Sequence, residues 1–392
     1  MIPDAFVIMV NESGHEDLED SQSISYLHKS RYSFMKIHLL SGFLGSGKTT
    51  AIQYACNELI KQQKKAGVIT NDQGISLVDG DFFEHLNIPN RQVVNGCFCC
   101  NYDDLDKSIQ SLITTNKPDI IFAESVGSCT DIVATVMKPL FNFYPHTDIT
   151  FSTFADVRLL RILLNENTQV FDESVRYIYF KQLEEAQVII VSKIDLTDNE
   201  TLLQIQQIMN EKYGDKIILY QNSFNPINIQ QWLHVLDTPL LEKPSSLQID
   251  YDVYGDGESK LAWHDQTIEI YSPDYNATQA AVDLMRMIYQ KIHLNKYPVG
   301  HLKFLLNGEK KISFTSISSE EIKEKAANIA EGKTSYSTFL INARVQTRPA
   351  ILSQLISESI EESASKFNGR ICVKTMASFQ PGYPKPTHRL ID

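Results

Sequence analysis

The sequence predicts a doubly wound α/β domain with a mostly parallel sheet, followed by a smaller α+β domain. Three observations carry this. From Met35 to about Thr238, β-rich apolar runs alternate with helical stretches. Gly42-Phe43-Leu44-Gly45-Ser46-Gly47-Lys48-Thr49 fits the phosphate-binding pattern G-x-x-x-x-G-K-[ST] and falls between a strand and a helix. Beyond residue 265 the order is strand, helix, two strands joined at Asn307-Gly308, strand, helix and strand, a split βαβ unit with one extra strand.

Residues 1–34 are polar and without a sustained period, and read as a disordered arm or an over-extended start. Over 35–238 the expected parallel strands are 37–40, 67–70, 119–123, 149–154, 188–191 and 217–220. Ligands of such a sheet collect beyond the carboxyl ends of its strands. Polar segments follow those ends: Asn71-Asp72-Gln73-Gly74, Asn95-Gly96-Cys97, Glu124-Ser125-Val126-Gly127, Ser192-Lys193-Ile194-Asp195 and Asn222-Ser223. Residues 239–265 carry turn signals (Pro239, Pro244, Gly255, Gly257) and read as a connector within which 251–254 and 261–263 pack. The second domain, 266–392, is expected to hold strand 267–271, helix 276–293, strands 299–306 and 310–317, a polar insertion at 318–336, strand 338–345, helix 349–366 and strand 370–377. The tail Phe379-Gln380-Pro381-Gly382-Tyr383-Pro384 reads as an extension of that last strand, or, through His388-Arg389, as a contact for another protein.

With 392 residues the chain has room for two or three domains. Its formal charge of −12 without a dense Lys/Arg stripe argues against nucleic acid and anionic membranes as partners. No apolar run approaches the ~20 residues of a membrane span and the N-terminus lacks the pattern of a signal peptide, so a cytoplasmic location is expected. Of six cysteines, Cys97, Cys99 and Cys100 are clustered while Cys56, Cys129 and Cys372 are scattered, unlike a secreted disulfide framework.

The glycine-rich loop implies a nucleoside triphosphate. Backbone N–H groups from Gly45 through Ser46, Gly47 and Lys48 to Thr49 would cradle the β-phosphate at a helix N-terminus, with Gly42 opening the loop and Thr50 closing it. Lys48 would neutralise β and γ oxygens, and Thr49 would ligate Mg2+. Glu124, at a strand end, is a candidate to hold a metal-bound water or position the nucleophile, and the Gly127 amide to report the γ-phosphate. Gly96-Cys97-Phe98-Cys99-Cys100 offers three soft ligands in one turn, suited to a tetrahedral ion such as zinc. A site left open, or completed by water, by Asp72 or by a partner, would let the ion pass onward, whereas a buried cysteine cluster without metal is the alternative.

The order phosphate loop, Gly-Cys-Phe-Cys-Cys, Glu-Ser-Val-Gly and Ser-Lys-Ile-Asp resembles the CobW-like metallochaperone GTPases, relatives of the maturation GTPases for hydrogenase, urease and methylmalonyl-CoA mutase. The likeness covers residues 35 to about 235. It implies a P-loop GTPase sheet whose cofactors are GTP, Mg2+ and Zn2+ (or Co2+ or Ni2+). Lys48, Glu124 and Asp72 would form its catalytic set and Cys97, Cys99 and Cys100 its metal switch. It also implies that Glu124-x-x-Gly127 is a Walker-B-like element and that Ser192-Lys193-Ile194-Asp195 is the guanine motif, with Asp195 accepting from the base, Lys193 packing on the ring and Ser223 lying nearby. Ser192 stands where that motif usually has Asn, a departure that weakens its tie to the phosphate loop and with it guanine preference. Asn71-Asp72-Gln73-Gly74 stands where the family often has N-E-x-G, leaving Asp72 to touch Mg2+ or the thiolate-bound ion. The implied partners are GTP or GDP and a client metalloprotein or cobalamin-dependent enzyme recognised by the second domain, with an oligomer also open. Two rivals remain: a P-loop small-molecule kinase, disfavoured because Arg91 is the sole arginine between 50 and 150, and a nucleotide-regulated metal sensor or buffer.

Overall fold

The computed structural model describes residues 35–73, 83, 87–94, 96–165, 170–238, 244–307, 310–314 and 333–392. The arm expected over 1–34 and most of the insertion expected over 318–336 lie outside these residues, as do Gly74, Asn95 and Gly308.

Seven parallel strands form the first sheet: β1 (Lys36–Gly42), β2 (Ala66–Asn71), β3 (Asn90–Val93), β4 (Ile120–Glu124), β5 (Asp148–Asp156), β6 (Val188–Ser192) and β7 (Ile217–Gln221). Their order is β3-β2-β4-β1-β5-β6-β7. β1, β2, β4 and β6 are short apolar runs because helices cover both faces of the sheet. On one face pack α1 (Lys48–Lys61) and α7 (Pro226–Asp237), whose Trp232 is fully buried against Phe122 and Phe154. The other face carries α2 (Tyr102–Thr115), the π-helical turn Val133–Met137 with α3 (Lys138–Phe143), α4 (Val157–Leu164), α5 (Glu173–Glu185) and α6 (Asn199–Tyr213). All six expected strands are present. The seventh, β3, escaped the sequence reading because its four residues, Asn-Arg-Gln-Val, form a half-exposed edge with little apolar signal.

The second sheet has order β10-β9-β11-β8-β12 and is antiparallel throughout. Its strands are β8 (Leu261–Tyr271), β9 (Val299–Leu306), β10 (Lys310–Phe314), β11 (Tyr336–Gln346) and β12 (Arg370–Phe379), with α9 (Ala277–Leu294) and α10 (Pro349–Lys366) packed on one face. β10 is the extra strand of the split βαβ arrangement, added at the edge. Asn307 takes φ 53°, the left-handed backbone of a tight hairpin.

Within the segment expected as a connector, 251–259 is a helix, α8 (Tyr251–Ser259), and β8 begins at Leu261, six residues before the expected strand. Gly255 and Gly257 look like turn residues but serve close packing. A Cβ on Gly257 would sit 2.5 Å from the Ser174 carbonyl of α5, and one on Gly255 would sit 2.8 Å from the Tyr383 ring. Leu261 and Trp263 at the start of β8 are buried in the core of the first domain, so the two domains share apolar surface.

Where β4 ends, the chain runs through 125–132 into the π-helical turn, and buried Glu185 holds this loop. It accepts from the Thr130 hydroxyl (3.1 Å) and the Val133 N–H (3.2 Å). Burial pushes the Glu185 carboxyl up to about 8. Because its folded value lies above its unfolded value near 4.5, the unfolded chain releases this proton first. Its effect on stability is therefore absent below about pH 4.5 and becomes progressively unfavourable as pH rises towards 8. Glu185→Gln keeps both hydrogen bonds once the Thr130 hydroxyl rotates. It is expected to remove this slope and to be more stable than the parent at pH 8 by roughly 2–4 kcal/mol. Chemical denaturation at pH 5 and pH 8 checks it, and identical pH slopes would contradict the assignment.

Candidate functional site

The phosphate loop is shaped by the sheet beneath it. Gly42 ends β1 at φ 128°, where a Cβ would lie 2.2 Å from the Phe154 carbonyl of β5, so only glycine lets the chain turn there. Lys48 folds back, its Nζ donating to the Gly42 carbonyl at 2.7 Å, and lies 3.8 Å from Glu124. The Thr49 hydroxyl donates to Glu124 across both carboxylate oxygens, each 3.0 Å away. These three side chains are buried, so a β4 carboxylate, a hydroxyl and an ammonium are held together at the head of α1. The cleft above them is lined by Gly45, Ser46, Gly47, Lys48, Thr49, Thr50, Asp72, Glu124, Gly127 and Lys193. Ten of the residues singled out in sequence therefore meet in one place.

Ser192 lies beneath the loop. Its hydroxyl donates to the Ser46 carbonyl (2.6 Å) and lies 3.1 Å from that of Ala155, so the serine itself ties this motif to the phosphate loop. Lys193 takes φ 59° and sends Nζ to the Gly45 carbonyl (2.6 Å) and to Asp156 (2.8 Å). Burial alone would raise Asp156, but Lys193 and Arg158 outweigh it and hold the carboxyl well below the usual range. Asp195 sits on the short turn Ile194–Leu196 with its side chain exposed, and Ser223, buried, accepts from Gln221 at 3.0 Å. Neither Asp195 nor Ser223 lines the cleft.

The cysteine turn leads into α2: the Cys100 and Asn101 N–H groups both donate to the Cys97 carbonyl. The sulfurs of Cys97, Cys99 and Cys100 lie within 4.8 Å of one another, with Cys97 and Cys99 buried and Cys100 half-buried. Hydrogen bonds from Cys100, Cys129 and Cys99 hold the Cys97 thiol well below its ordinary range. Cys100, donating to Cys97, is pushed up to about 11. One thiolate thus forms readily, and the set of soft sulfurs fits a thiophilic divalent ion. The tail does not extend β12. Pro381, Pro384 and Pro386 have no N–H for a ladder, and the tail instead crosses the cysteine turn. Thr387 N–H donates to the Cys99 carbonyl (2.8 Å), Lys385 N–H approaches the Cys100 sulfur (3.4 Å), and His388 packs edge-on against Tyr102.

Three consecutive residues at the end of β2 connect these parts. Asn71 donates to the Val93 and Gly96 carbonyls and accepts from Phe98 N–H, fixing the cysteine turn. Asp72 lines the cleft and accepts from Arg344 of the second domain at 2.8 Å. Gln73 donates to Glu258 (3.1 Å), which burial, and then the charge on Cys97, push up to about 8. Arg344 is fully buried, also bonds Asp265 (2.6 Å) and lies over Trp263 at 3.9 Å. Trp263, His301 and Lys303, all from the second sheet, complete the cleft wall. Sequence reasoning missed these residues. The available signal was the alternation of β9, which sets His301 and Lys303 on the face opposite Leu302 and Phe304.

A phosphate loop with a buried carboxylate partner, a lysine-bearing turn packed under it and a thiol cluster after the edge strand β3 of the same sheet defines a P-loop nucleotide-binding protein with a metal-competent turn. Residues 36–219 match the CobW/HypB/UreG nucleotide-binding domain, a little under half of the chain. It is 25% identical over 218 residues to the zinc chaperone YeiR of Escherichia coli (strain K12), covering 54% of this chain and 62% of that protein. To the zinc chaperone CobW of Sinorhizobium sp it is 27% identical over 203 residues, 45% of this chain and 56% of the relative. It thus spans less than two thirds of the length of both. Among solved structures, HypB from Helicobacter pylori in complex with nickel aligns at TM-score 0.41 and 15% identity, over 58% of this chain and 99% of that one.

Proposed function

We propose that this protein is a GTP-hydrolysing metallochaperone that carries a divalent ion, zinc first, on Cys97, Cys99 and Cys100 and hands it to a client metalloprotein. The observation that carries this reading is the tripeptide Asn71-Asp72-Gln73, whose side chains reach the cysteine turn, the cleft wall and Glu258 from adjacent positions. A ligand that moves this segment acts on the thiols and the second domain together.

Lys48 would supply positive charge for the phosphates, Lys193 would pack its stem on the guanine ring, and Thr49 and Glu124 would hold the Mg2+ of the bound nucleotide and orient its attacking water. Asp195 would accept from guanine, with the Ser192 hydroxyl keeping the motif against the loop. Lys303 and His301 bring the second domain, where the client would dock, to the same cleft.

The test is metal affinity, measured by competition with a chromophoric chelator, for zinc, cobalt and nickel with GDP or a non-hydrolysable GTP analogue bound, alongside GTP turnover. Linkage makes the coupling reciprocal, and about 5–150-fold between nucleotide states is expected. Replacing all three cysteines by serine should remove the ion and the metal dependence of nucleotide affinity while basal nucleotide binding persists. Equal metal affinity in both states defeats the chaperone reading, and absence of turnover favours a nucleotide-regulated sensor.

A further inference from the structure

The tail after β12 lies across the cysteine turn and is clamped on both sides of it. Lys385 and Thr387 each bond the turn through the backbone N–H, Lys385 to the Cys100 sulfur (3.4 Å) and Thr387 to the Cys99 carbonyl (2.8 Å). The Thr387 hydroxyl adds a bond to the Cys100 carbonyl (3.0 Å). His388 packs against Tyr102 and Phe143, with ring centroids 4.9 and 6.1 Å apart. Before this stretch, the Tyr383 hydroxyl donates to Asp252 of α8 (3.1 Å). Beyond it, the Leu390 N–H donates to the Ala134 carbonyl (2.9 Å), and Asp392 accepts from Lys138 (2.6 Å) and from the Ser246 N–H (2.8 Å). Pro384 and Pro386 keep the chain between the clamps extended, so little entropy is lost when it seats.

We infer that residues 385–389 are a strap that closes the cysteine turn, with Arg389 as its latch to the loop that leaves the nucleotide site. This rests on the chaperone reading and adds its control. Cys97 and Cys99 are buried, so the half-buried Cys100 side is the route by which an ion enters and leaves, and the strap crosses that side. Lys385, Thr387 and Arg389 are themselves exposed, so the strap opens far more readily than the core. Its latch is specific: Arg389 Nε donates to Asp131 at 2.7 Å, and the guanidinium lies 5.3 Å from the centre of the Tyr251 ring. Asp131 is buried, takes φ 65° and also accepts from the Tyr251 hydroxyl (2.7 Å). It lies on the segment that begins at Glu124, the carboxylate bonded to Thr49, and passes Gly127 in the cleft wall. A nucleotide that repositions Glu124 pulls on the segment carrying Asp131, and release of Arg389 frees the strap over the thiols.

The experiment compares the full chain with Arg389→Ala, Arg389→Lys and Thr387→Pro, the last removing the N–H that bonds the Cys99 carbonyl. Circular dichroism shows that each variant keeps its fold. Alkylation of Cys100 by iodoacetamide in the metal-free protein, at one pH and read by peptide mass spectrometry, reports how often the strap is open. Arg389→Ala and Thr387→Pro should each raise that rate by at least about 5-fold, the shift expected when a locally opening segment loses one hydrogen bond, and Arg389→Lys should restore most of the protection. Loading and release of Zn2+ should both accelerate while the dissociation constant stays nearly the same, because a strap gates both directions. Alkylation of the parent should differ between GDP and a non-hydrolysable GTP analogue, and Arg389→Ala should erase the difference. Equal alkylation in the parent and the folded variants would overturn the strap, as would weaker zinc binding without faster loading. If the parent binds no zinc at the cysteines, the chaperone reading fails while alkylation still decides the strap. If zinc binds with nucleotide coupling intact and alkylation is unchanged, only the strap falls.

Discussion

Replacing Arg344 by methionine is expected to destabilise the protein by roughly 3–5 kcal/mol, the range for removing one partner of a buried ion pair. The guanidinium is fully buried and holds Asp265 of its own sheet and Asp72 of the first domain, so its loss strands the buried Asp265 carboxylate with Asn342 as its remaining hydrogen-bonding side chain. Burial already raises Asp265, with Arg344 opposing that rise. Without the arginine this carboxyl takes up a proton on folding, and the deficit of the variant should shrink as pH is lowered. The double variant Arg344→Met/Asp265→Asn should recover most of the lost stability, because the stranded charge is gone. Denaturant midpoints for the two single variants and the double variant measure this. A loss below about 1 kcal/mol in the single arginine variant would mean that the pair is solvated and adds little to the joining of the two domains.

Lys48→Ala is expected to weaken binding of a nucleoside triphosphate by at least about 100-fold. The ammonium is held in the loop by the Gly42 carbonyl, 3.8 Å from Glu124, and each charge-assisted hydrogen bond it would make to a phosphate is worth roughly 1.5–3 kcal/mol. Removing it also leaves Glu124 with Thr49 but without its positive neighbour, so part of the loss is repulsion between that carboxylate and the entering phosphates. Titration calorimetry gives the affinity, and circular dichroism shows whether the fold is kept. Unchanged affinity in a folded variant would move the phosphate site elsewhere.

The sheet and the phosphate loop were legible because both are local: short apolar runs, and glycines at fixed offsets from Lys48 and Thr49. The cysteine turn was legible for the same reason. What the sequence did not disclose is long-range. Arg344 meets Asp72 across 272 positions, and nothing near either residue announces the other. Gly255 and Gly257 carried the signature of a turn, and tertiary packing against α5 and Tyr383 overrode it. The serine at 192 was read as a weakness from its type. Its hydroxyl reaches the Ser46 carbonyl all the same, because β6 ends directly beneath the loop.

The place of β1 in the sheet sets an order on synthesis. This strand is the first described element of the chain, yet Lys36 pairs with Ile120 of β4 on one side and Asp148 of β5 on the other. At a translation rate of about 5–20 residues per second, β1 waits roughly 5–25 s for both neighbours to emerge, with Ile37, Leu39 and Leu40 uncovered meanwhile. Such non-local pairing folds slowly, and an unpaired apolar strand is a template for wrong association. The phosphate loop that β1 carries is held by Ser192 and Lys193, which emerge later still. A nascent chain arrested before β6 would therefore display the whole glycine-rich motif and be unable to hold it in shape. Stalling during translation would release a species that sticks to others before it can bind a nucleotide.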